Sequence, residues 1–358
     1  MRIDVVRPSE LTEAQLAGWR ALERAGGRRP NPFLAPEYTR AVGAVRDDAH
    51  VAVVDGGRAF FPFERRGAVG RPIGSVLSDL QGMAAEPGLE VPPRELLRAC
   101  DLKVWAFDHL DPAQFTQGHK ALHPSPVIDL TGGYDLYAKG LAERSNKIYK
   151  STLKKERRLA REVGEVRFVL DSPDRAALRI LQRWKSAQYR RTGRPDRFAE
   201  PWVVAVAERL HEVRTPVFTG TLGLLYAGDT LVAGNFGVRT ETTIIAWFPV
   251  YDPAFAFYSP GLIHRLRLCR AVAEAGVTLM DLGRGEKGYK DSLKTGDLLV
   301  AEGRLARPSV AAARHWLTHE PRRRAVNLVL STPVLYGAAD RAARWVAKRR
   351  GTTPASAD

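Results

Sequence analysis

Met280-Asp281-Leu282-Gly283-Arg284-Gly285-Glu286-Lys287-Gly288-Tyr289-Lys290 packs four kinds of polar chemistry into eleven residues. It follows a helical pattern at 260–275 and a short apolar run at 277–280. A buried strand therefore ends at an acid and opens into a glycine-punctuated loop. The loop carries an arginine, a second acid, a tyrosine and a lysine. A strand end fixes such groups while the loop exposes them, which is where catalytic side chains usually sit. The letters also fit Gly-x-Gly-x-x-Gly at Gly283, Gly285 and Gly288. That match carries no dinucleotide reading, because it follows the last strand of a unit and opens no strand–helix–strand crossover.

Working back from it, residues 172–238 read as helices at 172–189 and 200–211, then β-rich runs at 218–226 and 230–238 around Gly228-Asp229. A third strand at 242–251, the helix at 260–275 and the strand at 277–282 complete the unit. The N-terminal part gives the same order. Helices are expected at 9–24, with Ser9 as N-cap, and from Asn31 to about Val45, with Pro36 in the first turn. A hairpin at 50–63 turns on Asp55-Gly56-Gly57, followed by a helix at 92–100 and a strand at 102–107. Helix, meander, helix, strand, given twice, predicts an α/β chain of α+β type built from two copies of one unit. Each copy is a mostly antiparallel sheet flanked by helices. The expected boundaries are 1–130, 131–307 with a long basic helix at 143–163, and a basic helical tail at 308–358 with a disordered end.

The chain has 358 residues, 44% of them apolar, and a net charge of +15. That charge is concentrated. Residues 143–163 hold eight Lys/Arg against three acids, and 314–350 hold nine against two. Basic surfaces of this kind attract phosphates, nucleic acid or anionic lipid, or are simply solvated. No apolar window reaches the roughly 18–20 residues of a membrane helix, and Met1-Arg2-Ile3-Asp4 opens no signal-peptide core. Cys100 and Cys269 lie in apolar contexts. They read as reduced core thiols of a cytoplasmic protein. No metal-ligand set, Walker loop or nucleophile elbow is present.

The 280–290 stretch, together with Tyr251-Asp252-Pro253, Tyr258-Ser259-Pro260-Gly261 and the upstream Ser78-Asp79-Leu80-Gln81-Gly82, resembles the GNAT-superfamily acyltransferases. The resemblance is to the CelD-like branch linked to cellulose and exopolysaccharide biosynthesis, itself a relative of the Fem-type aminoacyltransferases. It spans about residues 30–305. It implies a tandem double GNAT-like fold with the acceptor in the cleft between halves, and acyl-CoA, chiefly acetyl-CoA, as co-substrate without a metal. The donor pyrophosphate is then expected at the start of the 260–275 helix, near Tyr251, Tyr258, Ser259, Gly261 and Leu262. Free N–H groups and the helix dipole favour a phosphate there. The usual glycine-rich pyrophosphate loop is reduced to the single Gly261.

Asp281, Glu286, Tyr289 and Lys290 are the expected catalytic set. Asp281 or Glu286 would take the amine proton, and by resemblance Lys290 would hold a phosphate or the oxyanion. Asp281 reads equally as a turn cap or a partner for Arg284. Asp79, Gln81, Trp247, Asp252 and Arg284 are the expected substrate contacts, with Arg284 suited to a phosphate or carboxylate. Trp247 also reads as core, Asp252 as a turn former and His264 as a packed histidine. The expected activity is N-acyl transfer to an amine of a small-molecule or sugar-type acceptor by direct attack. Two rivals remain: a Fem-like transfer from aminoacyl-tRNA, and a non-catalytic fold docking on a membrane or partner through its basic segments.

Overall fold

The structure, a computed structural model, describes residues 1–25, 31–285, 288–314 and 317–318. The expected C-terminal tail and Glu286 lie outside the described residues. The first half contains β1 (Ile3–Val6), α1 (Glu13–Ala25), α2 (Pro36–Gly43), β2 (Ala49–Val54), β3 (Ala59–Arg66), β4 (Val69–Pro72), β5 (Ala84–Ala85), α3 (Pro93–Ala99) and β6 (Val104–Leu110). Then come β7 (His119–Asp129), α4 (Gly133–Arg144) and α5 (Asn146–Glu162). The second half contains β8 (Val166–Val169), α6 (Arg175–Arg191), α7 (Pro201–Glu212), β9 (Thr219–Ala227), β10 (Thr230–Arg239), β11 (Thr243–Tyr251), α8 (Pro260–Glu274) and β12 (Leu279–Asp281). The short α9 (Gly288–Leu293) and β13 (Gly296–Ala306) follow.

The repeat expected from the sequence is visible as topology. In each half an antiparallel meander, β2-β3-β4 or β9-β10-β11, is followed by a helix and a strand parallel to the meander's last member. The two halves form one sheet with the order β1-β2-β3-β4-β6-β13-β7-β12-β11-β10-β9-β8. The last strand closes the seam. β13 pairs antiparallel with both β6 and β7, so the C-terminal strand is shared between the halves. Gly303 is required there, because a Cβ at that position would run into the Gly118 carbonyl and Phe107.

The core also crosses the seam. Phe33, Tyr38, Val42 and Leu77 of the first half pack with Leu181, Val206, Leu210, Phe236 and Trp247 of the second. On the opposite face α8 and α4 cover Ile128, Ile244 and Met280. Both cysteines are buried free thiols, pushed up to about 12 by burial.

Three local expectations are corrected. The first helix begins at Glu13, not at residue 9, because Pro8–Glu10 forms a separate turn. Its capping box is Thr12 with Gln15, each side chain accepting from the other's backbone N–H. The strand expected at 102–107 runs from Val104 to Leu110, which brings Asp108 and His109 to its end. Helix α4 was not expected. Its Tyr134, Tyr137, Ala138 and Leu141 form the buried stripe at helical spacing.

A Gly303→Val substitution tests the shared strand. The added side chain must displace the Gly118 backbone, at a cost of about 1–3 kcal/mol or more. Urea unfolding should show a lower midpoint and one cooperative transition. Two separated transitions would show that β13 does not couple the halves.

Candidate active site at the seam and the open strand gap

β12 accompanies β11 only from Thr243↔Leu279 to Ile245↔Asp281. Beyond that pair β12 ends, while β11 continues to Tyr251. The two parallel strands therefore part at Asp281 and leave a wedge along the β11 edge. At the far end of β11 the chain makes a turn at Pro253–Tyr258, capped by Asp252 Oδ1 accepting from Ala254 N at 2.9 Å. It then enters α8, whose N-terminus faces the wedge's outer end. Gly261 lies against Tyr251, with 3.5 Å from an added Cβ to the ring.

The residue before α8 is not the cap expected from its type. Ser259 adopts a left-handed conformation (φ 52°), and its side chain does not cap the helix. Instead its Oγ accepts from Lys155 Nζ at 2.7 Å. Helix α5 thus lies across the start of α8. Glu156 binds Arg267 at 2.7 Å, Tyr258 donates to Glu162 at 2.9 Å, and Arg158 stacks over Phe257. Within α8, His264 is buried against the Gly223 carbonyl, and burial pulls its pKa down to about 3. It is a neutral packed histidine, with no catalytic reach.

In the first half the equivalent wedge is shut. β4 pairs with β6 only at Val69↔Val104 and Gly70↔Trp105. Gln81 then takes the place of the missing strand. Its backbone bridges His109 and Asp111, its Oε1 accepts from Asp108 N and His109 N, and its Nε2 donates to Asp108 Oδ1 at 2.7 Å. Gln81 is 2% exposed. Its amide is engaged in this plug, where it acts as a strut.

At the mouth of the open wedge, Asp281 is 4% exposed. Ser125 Oγ and Gly283 N both donate to its Oδ1, at 3.0 and 2.7 Å. Oδ2 has no hydrogen-bond partner among the described residues. Burial and the neighbouring Asp79 charge raise its pKa to about 6, against the opposing pull of the Gly283 N–H, Ser125 and Lys290. Lys290, from α9, is buried and donates to Gly283 O at 2.6 Å. Its ammonium holds the loop and offsets the two carboxylates. Tyr289 is half-buried against the α8 side of the core.

Asp79 approaches from the first half. An added Cβ on Gly283, whose φ is 73°, would lie 3.2 Å from Asp79 Oδ2. Burial raises the Asp79 pKa, opposed by His109, Arg197 and Lys290.

Arg284 is not free to take a ligand in the way expected. It donates to Asp108 O and to Glu302 Oε2, both at 3.0 Å, and so ties the loop to β6 and β13. His123 Nε2 lies 3.2 Å from the same Glu302 oxygen. Trp247 sits in the shared core, stacked on Phe248 at 4.5 Å and edge-on to Phe33. His109 Nδ1 lies 2.9 Å from Asp108 Oδ1 as an ion pair without hydrogen-bond geometry. Burial opposes its protonation, but the Asp108 and Asp79 charges outweigh this and raise its pKa.

The sequence reading missed Asp108, His109, Ser125, Glu302 and Lys155. Pairing between distant strands brings the first four to the seam, helix packing brings Lys155 to Ser259, and no local pattern marks them.

Residues 147–291 match the family described as acetyltransferase (GNAT) domain. No curated protein matches the sequence. Three solved structures share the fold. FemX is 10% identical, with a TM-score of 0.56, covering 85% of this chain and 96% of that one. L-PGS from Bacillus licheniformis is 14% identical, with a TM-score of 0.51, covering 86% and 96%. A conserved protein of unknown function from Bacteroides thetaiotaomicron is 12% identical, with a TM-score of 0.54, covering 84% and 100%. Residues 147–291 thus match a GNAT acetyltransferase domain, and the chain shares its fold with FemX.

The Arg284–Glu302 tie is testable by a double-mutant cycle. Arg284→Gln and Glu302→Gln should each cost about 1–3 kcal/mol, and the double variant should cost less than their sum. Strict additivity in urea melts would show that the pair does not couple.

Proposed function

We propose that the enzyme transfers an acyl group from acyl-CoA, acetyl-CoA foremost, to a primary amine by direct attack. The supporting observation is the open wedge, with Asp281 where the strands part and a helix N-terminus at its outer end. The β11 edge beyond Ile245, which β12 no longer pairs, suits the amide-bearing arm of the donor. Gly261 and the α8 N-terminus suit its pyrophosphate, with Lys155 supplying the positive charge that the reduced glycine loop does not. The amine nitrogen attacks the thioester carbon, the N–C bond forms and the C–S bond breaks. The amine proton passes to Asp281 Oδ2, and the thiolate leaves as CoA and is protonated from solvent. Glu286, in the same loop, is the second candidate for the base. The resemblance to the exopolysaccharide-linked branch supports a sugar-type or other small-molecule acceptor.

Asp281→Asn should lower kcat by about 10²–10⁴-fold, the range of a lost general base, with the acetyl-CoA KM little changed. The wild-type rate should fall as pH drops through about 6, because the working form is the carboxylate and burial has raised its pKa to that value. An Asp281→Asn enzyme of wild-type kcat, or a rate independent of pH between 5 and 7, would refute the assignment. Gly261→Asp, which places a negative charge at the phosphate end, should raise the acetyl-CoA KM by about tenfold or more.

A second reading, aminoacyl transfer from tRNA, draws support from α5. Lys147, Lys150, Lys154 and Arg157 form an exposed stripe and make no ion pair among the described residues. Under that reading binding of tRNA would weaken steeply with salt, and acetyl-CoA would not bind.

A further inference from the structure

Opposite charges meet across the seam without pairing. Asp79 comes from the loop that plugs the first half. Arg197 comes from the turn Arg197–Ala199 between α6 and α7 of the second half. Asp196 fixes that turn. It accepts from Phe198 N at 3.1 Å, from Ser186 Oγ and from Arg190 Nη1. Asp196 is therefore committed to Arg190 and the turn, and Arg197 is left over. Phe198 seats the turn on Phe248 at 4.8 Å, and Phe248 stacks on Trp247. Trp247 lies 6.3 Å from Tyr38, whose hydroxyl is 3.1 Å from Ser78 Oγ, the neighbour of Asp79. This run of contacts links the turn that bears Arg197 to the loop that bears Asp79 across the shared core, and the Arg197 charge is felt at Asp79.

Arg197 is half-buried and, among the described residues, has neither a hydrogen bond nor an ion pair. Asp79 likewise makes no hydrogen bond among them. Its charge is felt with that of Arg197 at Tyr38 and Tyr189, yet the two do not form an ion pair. Trp247 Nε1, an indole donor in the same contact run, is buried without an acceptor. Holding opposite charges partly out of water and apart costs free energy that an ion pair would recover. A ligand carrying both signs, an ammonium and an oxyanion, satisfies both at once.

We propose that the acceptor is a zwitterionic amine, a primary amine that also bears a carboxylate or phosphate. Arg197 grips the oxyanion, and Asp79 receives the ammonium beside Asp281. Arg197 is thus a specificity-determining residue, and Asp79 guides the amine to the base. This inference rests on the amine-acyl-transfer reading and names the class of its acceptor. A guanidinium suits either oxyanion bidentately.

The test is calorimetric titration of the full-length protein with matched pairs: glucosamine against glucosamine 6-phosphate, and tyramine against tyrosine. Wild type should bind the anionic member of at least one pair roughly ten- to a hundredfold more tightly, as for a charge-assisted hydrogen-bonded group. The pair that shows the preference tells phosphate from carboxylate. Arg197→Ala should erase the preference, Arg197→Lys should keep part of it, and Arg191→Ala, an exposed cation nearby, should leave it intact. Equal binding within both pairs, detectable or not, or a preference that survives Arg197→Ala, overturns the proposal. Acetyl-CoA titrated into the same samples reports on the donor separately. Acetyl-CoA binding without anion preference sinks only the acceptor class, and anion preference without acetyl-CoA binding sinks only the donor.

Discussion

One strand holds the active site together. β13 is the last strand in sequence, yet it lies between β6 of the first half and β7 of the second. Without it Asp108 and His109, at the end of β6, would have no fixed relation to Asp281 at the end of β12. Glu302 on β13 then receives Arg284, so the loop after Asp281 is pinned to the strand that joins the halves. A cleft assembled from two units needs such a shared element, because positioning errors of an ångström are costly to catalysis.

The same repeat unit yields two outcomes. In both halves a parallel pair forms for a few residues and then parts. In the first half Gln81 fills the opening and satisfies the backbone of Asp108 and His109. In the second half Gly283 follows Asp281, and its left-handed conformation turns the chain away from β11. The opening there stays a wedge that ends on a buried carboxylate and begins at a helix N-terminus. The unit closed by Gln81 and the unit that parts at Asp281 thus differ in one local substitution for a strand.

Much of this was legible from sequence, for local reasons. The hairpins at Asp55-Gly56-Gly57 and Gly228-Asp229, the helix after Ser259-Pro260 and the strand ending at Asp281 all depend on turn chemistry and periodicity within a few residues. What failed depended on distant partners. Gln81 sits in a Ser-Asp-Leu-Gln-Gly loop that reads as a ligand contact. Its true partners are 27 and 28 residues away in a strand whose end was placed too early. Arg284 reads as an anion clamp until Glu302 is brought beside it. Ser259 looks like a helix cap, but Lys155, 104 residues upstream, takes its hydroxyl.

The difference between a plugged and an open wedge makes the account countable. Titration of the full-length protein with acetyl-CoA, followed calorimetrically, measures it directly. Saturation at one molecule per chain is the predicted result, since among the described residues the β11–β12 pair is the one that parts without a plug. Two molecules per chain would show that Gln81 does not close the first half. No saturable binding would contradict the assignment of the open wedge to an acyl-CoA donor.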